Sequence, residues 1–172
     1  MRHGSVFKMV VATAALENNT ITTKTTVNDT GIYPRGHNPA CWIYTSRHYG
    51  HGYLNVTEAI KKSCNYFFYE LGYKMGIDPV IKYAKSYGLG IKTGIELSGE
   101  SKGIVDLKDY CKETTGQEWQ FGDTLSAVIG QSYNSYTPIQ IARYTSMLAN
   151  GGKSVDVTLI KSITDADGNK IS

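Results

Sequence analysis

Ser5 and Lys8 stand three residues apart at the head of the chain's first apolar helical run, and that placement constrains the fold more than any other feature. Residues at this spacing share a helix face, so a basic amine lies within reach of a hydroxyl that could act as a nucleophile. Behind them Phe7, Val10, Val11, Ala14 and Leu16 recur at helical spacing, and Asn18-Asn19 marks the stop. Free lysine titrates about three units above neutrality, so Lys8 can take a proton only where burial or positive potential favours its neutral form. A fold that uses this pair must press the first turn of the helix against a core. The plain alternative is that Ser5 caps a helix and Lys8 is solvated.

The rest of the chain reads as helices broken by glycine, with one long irregular segment over residues 19–52. That segment starts with a threonine-rich strip that can form a short strand. It continues through Asn28-Asp29-Thr30-Gly31, Pro34-Arg35-Gly36 and Asn38-Pro39, which are turn signals. Long loops without periodicity generally serve a function or need a staple. Thr57 is expected to cap a short helix, and Asn65 to Met75 a second one whose apolar residues spread too widely for one face and so are buried. Asp78-Pro79 predicts a helix start with Asp78 as cap, and Thr137-Pro138 another, closed by Asn150-Gly151-Gly152. Residues 88–125 are punctuated by glycine turns. Val155 to Ile163 is strand-like, with a hairpin signal at Asp167-Gly168. The expectation is an α+β chain, mostly helical: a first helix over 1–18, the loop over 19–52, a helical region over 53–152 and the start of a hairpin over 153–172.

Composition limits the partners. A chain of 172 residues with 41% hydrophobic content suits one domain with a real core. No segment approaches the ~18 consecutive apolar residues of a membrane span. The net charge of +3 comes from scattered bases without a Lys/Arg block, so nucleic acid is not expected as a partner. Residues 1–4 are too short and polar for a targeting signal, and no membrane anchor is expected within the chain. An exposed strand edge at 155–163 would be a pairing hazard, with a dimer or domain swap as its expected outcome.

Beyond Ser5-x-x-Lys8, the blocks Gly50-His51-Gly52, Ser63-Cys64-Asn65-Tyr66-Phe67-Phe68-Tyr69, Tyr87-Gly88-Leu89-Gly90, Thr93-Gly94-Ile95-Glu96-Leu97, Ile129-Gly130-Gln131 and Thr137-Pro138-Ile139-Gln140 follow in order. With them the chain resembles the transpeptidase domain of penicillin-binding proteins, most closely the elongation-type class B enzymes. The resemblance implies the helical portion of that α+β fold, with most of the central sheet missing. It implies Ser5 as the acylated nucleophile, Lys8 as its base, and Ser63 and Asn65 as cleft residues that relay a proton and bind the substrate amide. The implied substrates are D-Ala-D-Ala stem peptides of peptidoglycan, with β-lactams as trapping analogues, at the extracytoplasmic face of a bacterial membrane. Other cell-wall synthesis proteins are implied partners. The backbone N–H of Ser5 is expected to supply half of an oxyanion hole.

Lys92-Thr93-Gly94 spells the family's third motif, but it lies within a block that is structural in the family. No other copy occurs, so the chain is expected to be a truncated piece that is inactive or acylates weakly. Ser132-Tyr133-Asn134 also matches Ser-x-Asn, and its place in a polar turn makes it a turn element rather than the catalytic copy. His3 stands where the family usually has proline, and Ser132 where glycine is common.

Some elongation-type members hold a zinc through the loop before their Ser-x-Asn motif, with a histidine in Gly-His-Gly. The resemblance therefore implies a structural zinc on Asp29, Cys41, His51 and Cys64, with His48 or His37 as alternatives to Asp29. Sulfur and imidazole both suit zinc, although the spacing matches no common ribbon. With Ser63 and Asn65 facing the cleft, Cys64 is expected to face away, where a metal would brace the motif from behind. Cys111 reads as a lone thiol. Two other readings stay open: a serine β-lactamase or β-lactam sensor, and a zinc-stapled interaction module without catalysis.

Overall fold

The molecule is built around its first helix. The computed structural model describes residues 4–171; His3 and the terminal segment before it lie outside the described residues. Gly4–Phe7 form a 3-10 turn that leads into α1, Lys8–Glu17. Val10, Val11, Ala14 and Ala15 of α1 are wholly buried. A helix apolar on all sides has no stable place but the interior. Asn18 donates its side-chain amide to the Ala14 carbonyl at 2.9 Å, and Asn19 turns at φ +55°, so α1 stops where its sequence predicts.

The 19–52 segment is more ordered than its sequence predicts. It holds β1 (Val27–Asp29) and α2 (Trp42–Arg47), and it ends at β2 (Gly52–Leu54). β1 and β2 pair antiparallel with Asp29 opposite Gly52, in the sheet this structure forms. An isolated bridge between Ile32 and Ala40 then folds the intervening loop back on itself, and the Cys41 N–H donates to the Gly31 carbonyl at 2.7 Å. These two pairings bring Asp29, Cys41 and His51 together from distant positions. Gly50 is required at their crossing, because a Cβ there would lie 2.0 Å from the Asp29 carbonyl oxygen.

Next come α3 (Val56–Lys61), α4 (Asn65–Met75) and α5 (Asp78–Ser86). All three pack on α1. Asn55, not Thr57, caps α3: its side chain accepts from the Glu58 N–H while Glu58 reaches back to the Asn55 N–H. A full capping box outcompetes a lone threonine two residues on. In α4, Phe67, Phe68 and Leu71 are wholly buried, as the spread of its apolar residues predicts. Asp78 is the first residue of α5 rather than its cap, so Pro79 stays within the opening turn, where proline is tolerated.

Residues 88–125 contain two helices that the glycines obscure, α6 (Leu107–Thr115) and α7 (Phe121–Ala127). α6 buries Leu107 and Cys111, one turn apart, and Gly116 ends it in the left-handed conformation at φ +71°. α8 (Pro138–Ala149) has the predicted cap, with Thr137 accepting from the Gln140 N–H. The expected strand over 155–163 does not form. Among the described residues, pairing there is limited to the bridge between Thr164 and Lys170 around the Asp165–Asn169 turn. A strand needs a neighbouring ladder to be stable, and none lies beside this segment. Leu159, Ile160 and Ile163 are instead exposed, and the Leu159 N–H donates to Glu96 at 2.9 Å. The edge-pairing route to a dimer therefore has no formed strand behind it.

Candidate active site

Lys8 is 1% exposed at the start of α1. Its ammonium donates to the Ser63 carbonyl at 2.7 Å, to Ser63 Oγ at 3.0 Å and to Asn65 Oδ1 at 2.6 Å. The Phe68 ring lies beneath it, with the centroid 5.5 Å away. Burial pulls the Lys8 pKa down to about 8, against smaller upward contributions from negative charge at Cys41 and Cys64. The three partners differ chemically. A carbonyl and an amide oxygen only accept, whereas a hydroxyl also donates. A neutral Lys8 can hold its two N–H groups on the carbonyl and on Asn65, which leaves its lone pair facing the Ser63 hydroxyl.

Ser63 Oγ donates to Ser5 Oγ at 2.8 Å. The Ser63 hydroxyl thus stands between Ser5 and Lys8, and among the described residues no direct Ser5–Lys8 hydrogen bond forms. In place of the expected direct contact the hydrogen bonds form a three-member chain, because the left-handed turn at Ser63 sets its hydroxyl between the Lys8 amine and Ser5 Oγ. Ser63 adopts φ +51°, a left-handed conformation that costs a non-glycine residue about 1–2 kcal/mol. The turn is closed by the Ser63 N–H on the Ile60 carbonyl and the Cys64 N–H on the Ala59 carbonyl. Lys8 holds the Ser63 carbonyl from the other side.

Ser5, Ser63 and Asn65 open onto a cleft of about 370 Å³, walled also by Trp42 and Gln131. Trp42 is 44% exposed, and its indole N–H donates to the Lys62 carbonyl at 3.1 Å, which fixes the ring beside the Ser63 turn. Nothing local in the sequence marks Trp42 or Gln131 as cleft residues. An aromatic next to a candidate ligand and a glutamine in a glycine turn carry no periodic signal; only the folded loop puts them at the cleft.

Behind the turn, Cys64 points away from the cleft and is wholly buried, as expected. Its Sγ lies 3.2 Å from Asp29 Oδ2 and 3.9 Å from Cys41 Sγ. His51 Nδ1 is 2.7 Å from Asp29 Oδ2 and 3.7 Å from Cys41 Sγ. The four candidate donor atoms all lie within 4.8 Å of one another. Tetrahedral zinc with ~2.3 Å bonds to sulfur sets two sulfurs about 3.8 Å apart, so these spacings suit the edges of such a site. Burial would raise the Asp29 carboxyl, yet hydrogen bonds from His51, the Gly31 N–H and Cys64 hold it below the usual carboxylate range. The hydrogen bond between the two thiols brings Cys41 down to about 6, while the same bond and burial push Cys64 up. His37 and His48, the alternatives to Asp29, are not in this group.

The sequence decoys have structural roles. Glu100 accepts from the Thr93 N–H and hydroxyl, both at 2.7 Å, and from the Gly94 N–H, so Lys92-Thr93-Gly94 is a clamped turn. Cys111 is buried with its Sγ toward the Gln117 carbonyl, apart from the other two cysteines.

The buried Lys8 amine, the turn at Ser63 and Asn65, and Ser5 are thus joined by hydrogen bonds at the head of the central helix. Residues 1–172 match the penicillin binding protein transpeptidase domain over their whole length, and the chain belongs to that family. It is 35% identical over 165 residues to the peptidoglycan D,D-transpeptidase MrdA of Haemophilus influenzae, an alignment covering 94% of this chain and 25% of that protein. The chain thus spans about a quarter of that relative's length. Among solved structures it superposes on Pseudomonas aeruginosa PBP2 in complex with WCK 5153 with a TM-score of 0.86 and 33% identity, covering 99% of this chain and 38% of that one. It also matches PBP2 of Helicobacter pylori in complex with MreC, with a TM-score of 0.83 and 35% identity over 90% of this chain and 28% of that one. The fold is the helical portion of this α+β domain, with a two-stranded sheet. No described helix is long and apolar enough to cross a membrane.

Proposed function

We propose that this chain carries the nucleophile half of a peptidoglycan D,D-transpeptidase site, in which Ser5 becomes acylated by a D-Ala-D-Ala stem peptide. The observation that supports this best is the chain from Ser5 Oγ through Ser63 Oγ to a buried Lys8 amine. With Lys8 protonated the hydrogen bonds run from Lys8 to Ser63 to Ser5; in the neutral form they reverse, so that Lys8 accepts the Ser63 proton as Ser63 accepts the Ser5 proton. The Ser5 oxygen attacks the carbonyl of the penultimate D-alanine, and the terminal D-alanine leaves as its amine takes the proton back along the same chain. An acceptor amine on a second stem peptide then displaces Ser5. A β-lactam would be attacked in the same way and, once its ring opened, would stay attached. Asn65, fixed by Lys8, lines the cleft where the substrate amide would lie, and the Ser5 N–H would provide one oxyanion donor.

The same proposal assigns a structural zinc to Asp29, Cys41, His51 and Cys64. Bound there, zinc would supply no reaction step; it would fix the 29–64 loop and brace the turn that presents Ser63 and Asn65. The protein is proposed to act at the extracytoplasmic face of the membrane, with wall-synthesis partners such as the MreC seen with the Helicobacter relative. Within residues 1–172 the Lys-Thr-Gly copy is the clamped turn at 92–94, so this stretch alone is proposed to acylate weakly. Release of D-alanine and dimer formation from uncross-linked peptidoglycan by the full-length protein, lost in Ser5→Ala, is the expected result. Cross-linking that survives Ser5→Ala would refute the assignment.

A further inference from the structure

The Ser132-Tyr133-Asn134 triplet plays no part in the relay, yet Asn134 is only 1% exposed. A buried amide must satisfy its donors and its acceptor, and Asn134 does so in one direction. Its Nδ2 donates to the Ala127 carbonyl at 3.0 Å and to the Gln131 carbonyl at 2.8 Å, closing the turn over residues 127–131. Its Oδ1 accepts from the Tyr136 hydroxyl at 2.9 Å.

Both arms end on the turn that carries Ser5. On one side, the closed turn presents the Gly130 carbonyl to the Gly4 N–H at 3.1 Å. Gly130 is at φ +76°, and a Cβ there would lie 1.9 Å from the Gly4 carbonyl oxygen, so the two backbones touch with no room for a side chain. On the other side, the Tyr136 ring stacks on Phe7, with centroids 5.8 Å apart and planes at 22°. Gly4 and Phe7 are the two ends of the 3-10 turn, and Ser5 lies between them. The Tyr144 hydroxyl donates to the Val6 carbonyl at 3.2 Å and holds the middle of the same turn.

We propose that Asn134 is a positioning residue for the nucleophile: through Gly130 and Tyr136 it fixes both ends of the Gly4–Phe7 turn, and so sets the distance from Ser5 Oγ to Ser63 Oγ. This rests on the acyl-serine reading of Ser5. Asn134→Asp keeps the side chain's shape but aims a carboxylate oxygen at two carbonyls, and releases the 127–131 turn. Tyr136→Phe keeps the ring on Phe7 and removes the hydroxyl that orients Asn134.

The test uses the full-length protein and a fluorescent penicillin, with non-covalent affinity and first-order acylation measured separately, alongside hydrogen exchange of residues 4–8. Asn134→Asp is expected to slow acylation about 10- to 100-fold, as small misplacements of a reacting group do, with affinity within about twofold of wild type. Exchange at Gly4–Phe7 should rise while that of α4 stays unchanged. Tyr136→Phe should move both readouts the same way by less, and it decides the matter if Asn134→Asp fails to fold. Wild-type acylation with wild-type protection of Gly4–Phe7 in both variants would overturn the proposal, as would exchange rising equally in α1 and α4. A wild-type protein that no penicillin acylates would sink the acyl-serine reading, and the exchange experiment would still decide whether Asn134 holds the turn.

Discussion

The pH dependence of acylation follows from the burial of Lys8. At pH 7 an ordinary lysine with pKa 10.5 is neutral in about one molecule in 3,000, whereas Lys8 at about 8 is neutral in about one in ten. Folding thus raises the active base population about 300-fold, which corresponds to about 3 kcal/mol of differential solvation. Because the neutral amine is the reactive form, the rate must rise with pH rather than fall. First-order acylation of the full-length protein by a fluorescent penicillin, measured from pH 6 to 10, should climb about tenfold per unit below pH 8 and level off above it. Lys8→Arg preserves the positive charge but supplies a guanidinium that never becomes neutral in this range. It should lower the rate by about 10²–10⁴-fold and remove the rise with pH. A wild-type profile flat from pH 6 to 9, or a Lys8→Arg variant that keeps the wild-type inflection, would refute the relay.

Three further outcomes follow from the fold. Metal analysis of protein purified without chelators should find one zinc per chain, and Cys41→Ala should reduce it to a small fraction while lowering the thermal midpoint; full-length protein with no stoichiometric zinc would end that assignment. Gly50→Ala would drive a Cβ into the Asp29 carbonyl and should cost about 1–3 kcal/mol in urea unfolding, with weakened zinc retention because His51 is displaced. Ser132 lies at φ +61°, so Ser132→Gly should relieve about 1 kcal/mol of strain and raise the midpoint by about 2–4 °C; an unchanged or lower midpoint would show that its side chain earns its strained conformation.

What the sequence could reveal depended on whether a signal was local. The α1 stop at Asn18-Asn19, the Thr137-Pro138 cap and the buried α4 are written in short runs of residues, and they formed as read. The short helices α2, α6 and α7 were hidden, since six to nine residues among glycines give too few turns for a period to show. The strand at 155–163 failed for the opposite reason: its β-branched residues favour extended backbone, but stability comes from a neighbouring ladder. At the site, the family motifs pointed to Ser5, Lys8, Ser63 and Asn65, which the fold brings together, while the order of their hydrogen bonds depends on the left-handed turn at Ser63, which no residue spacing announces. The Asp29, Cys41, His51 and Cys64 grouping came from resemblance. Its closeness in space results from the β1–β2 register and the Ile32–Ala40 bridge, both non-local. Asn134 looked like ordinary turn chemistry, and only its burial and its two arms set it apart.

The most direct test of the central claim is peptide mapping by mass spectrometry after the full-length protein is incubated with a penicillin. One adduct with the mass of the intact opened β-lactam, located on Ser5 and missing from Ser5→Ala, is the predicted result. An adduct on Ser63 or on any other residue, or no adduct under conditions where the protein is folded, would contradict it.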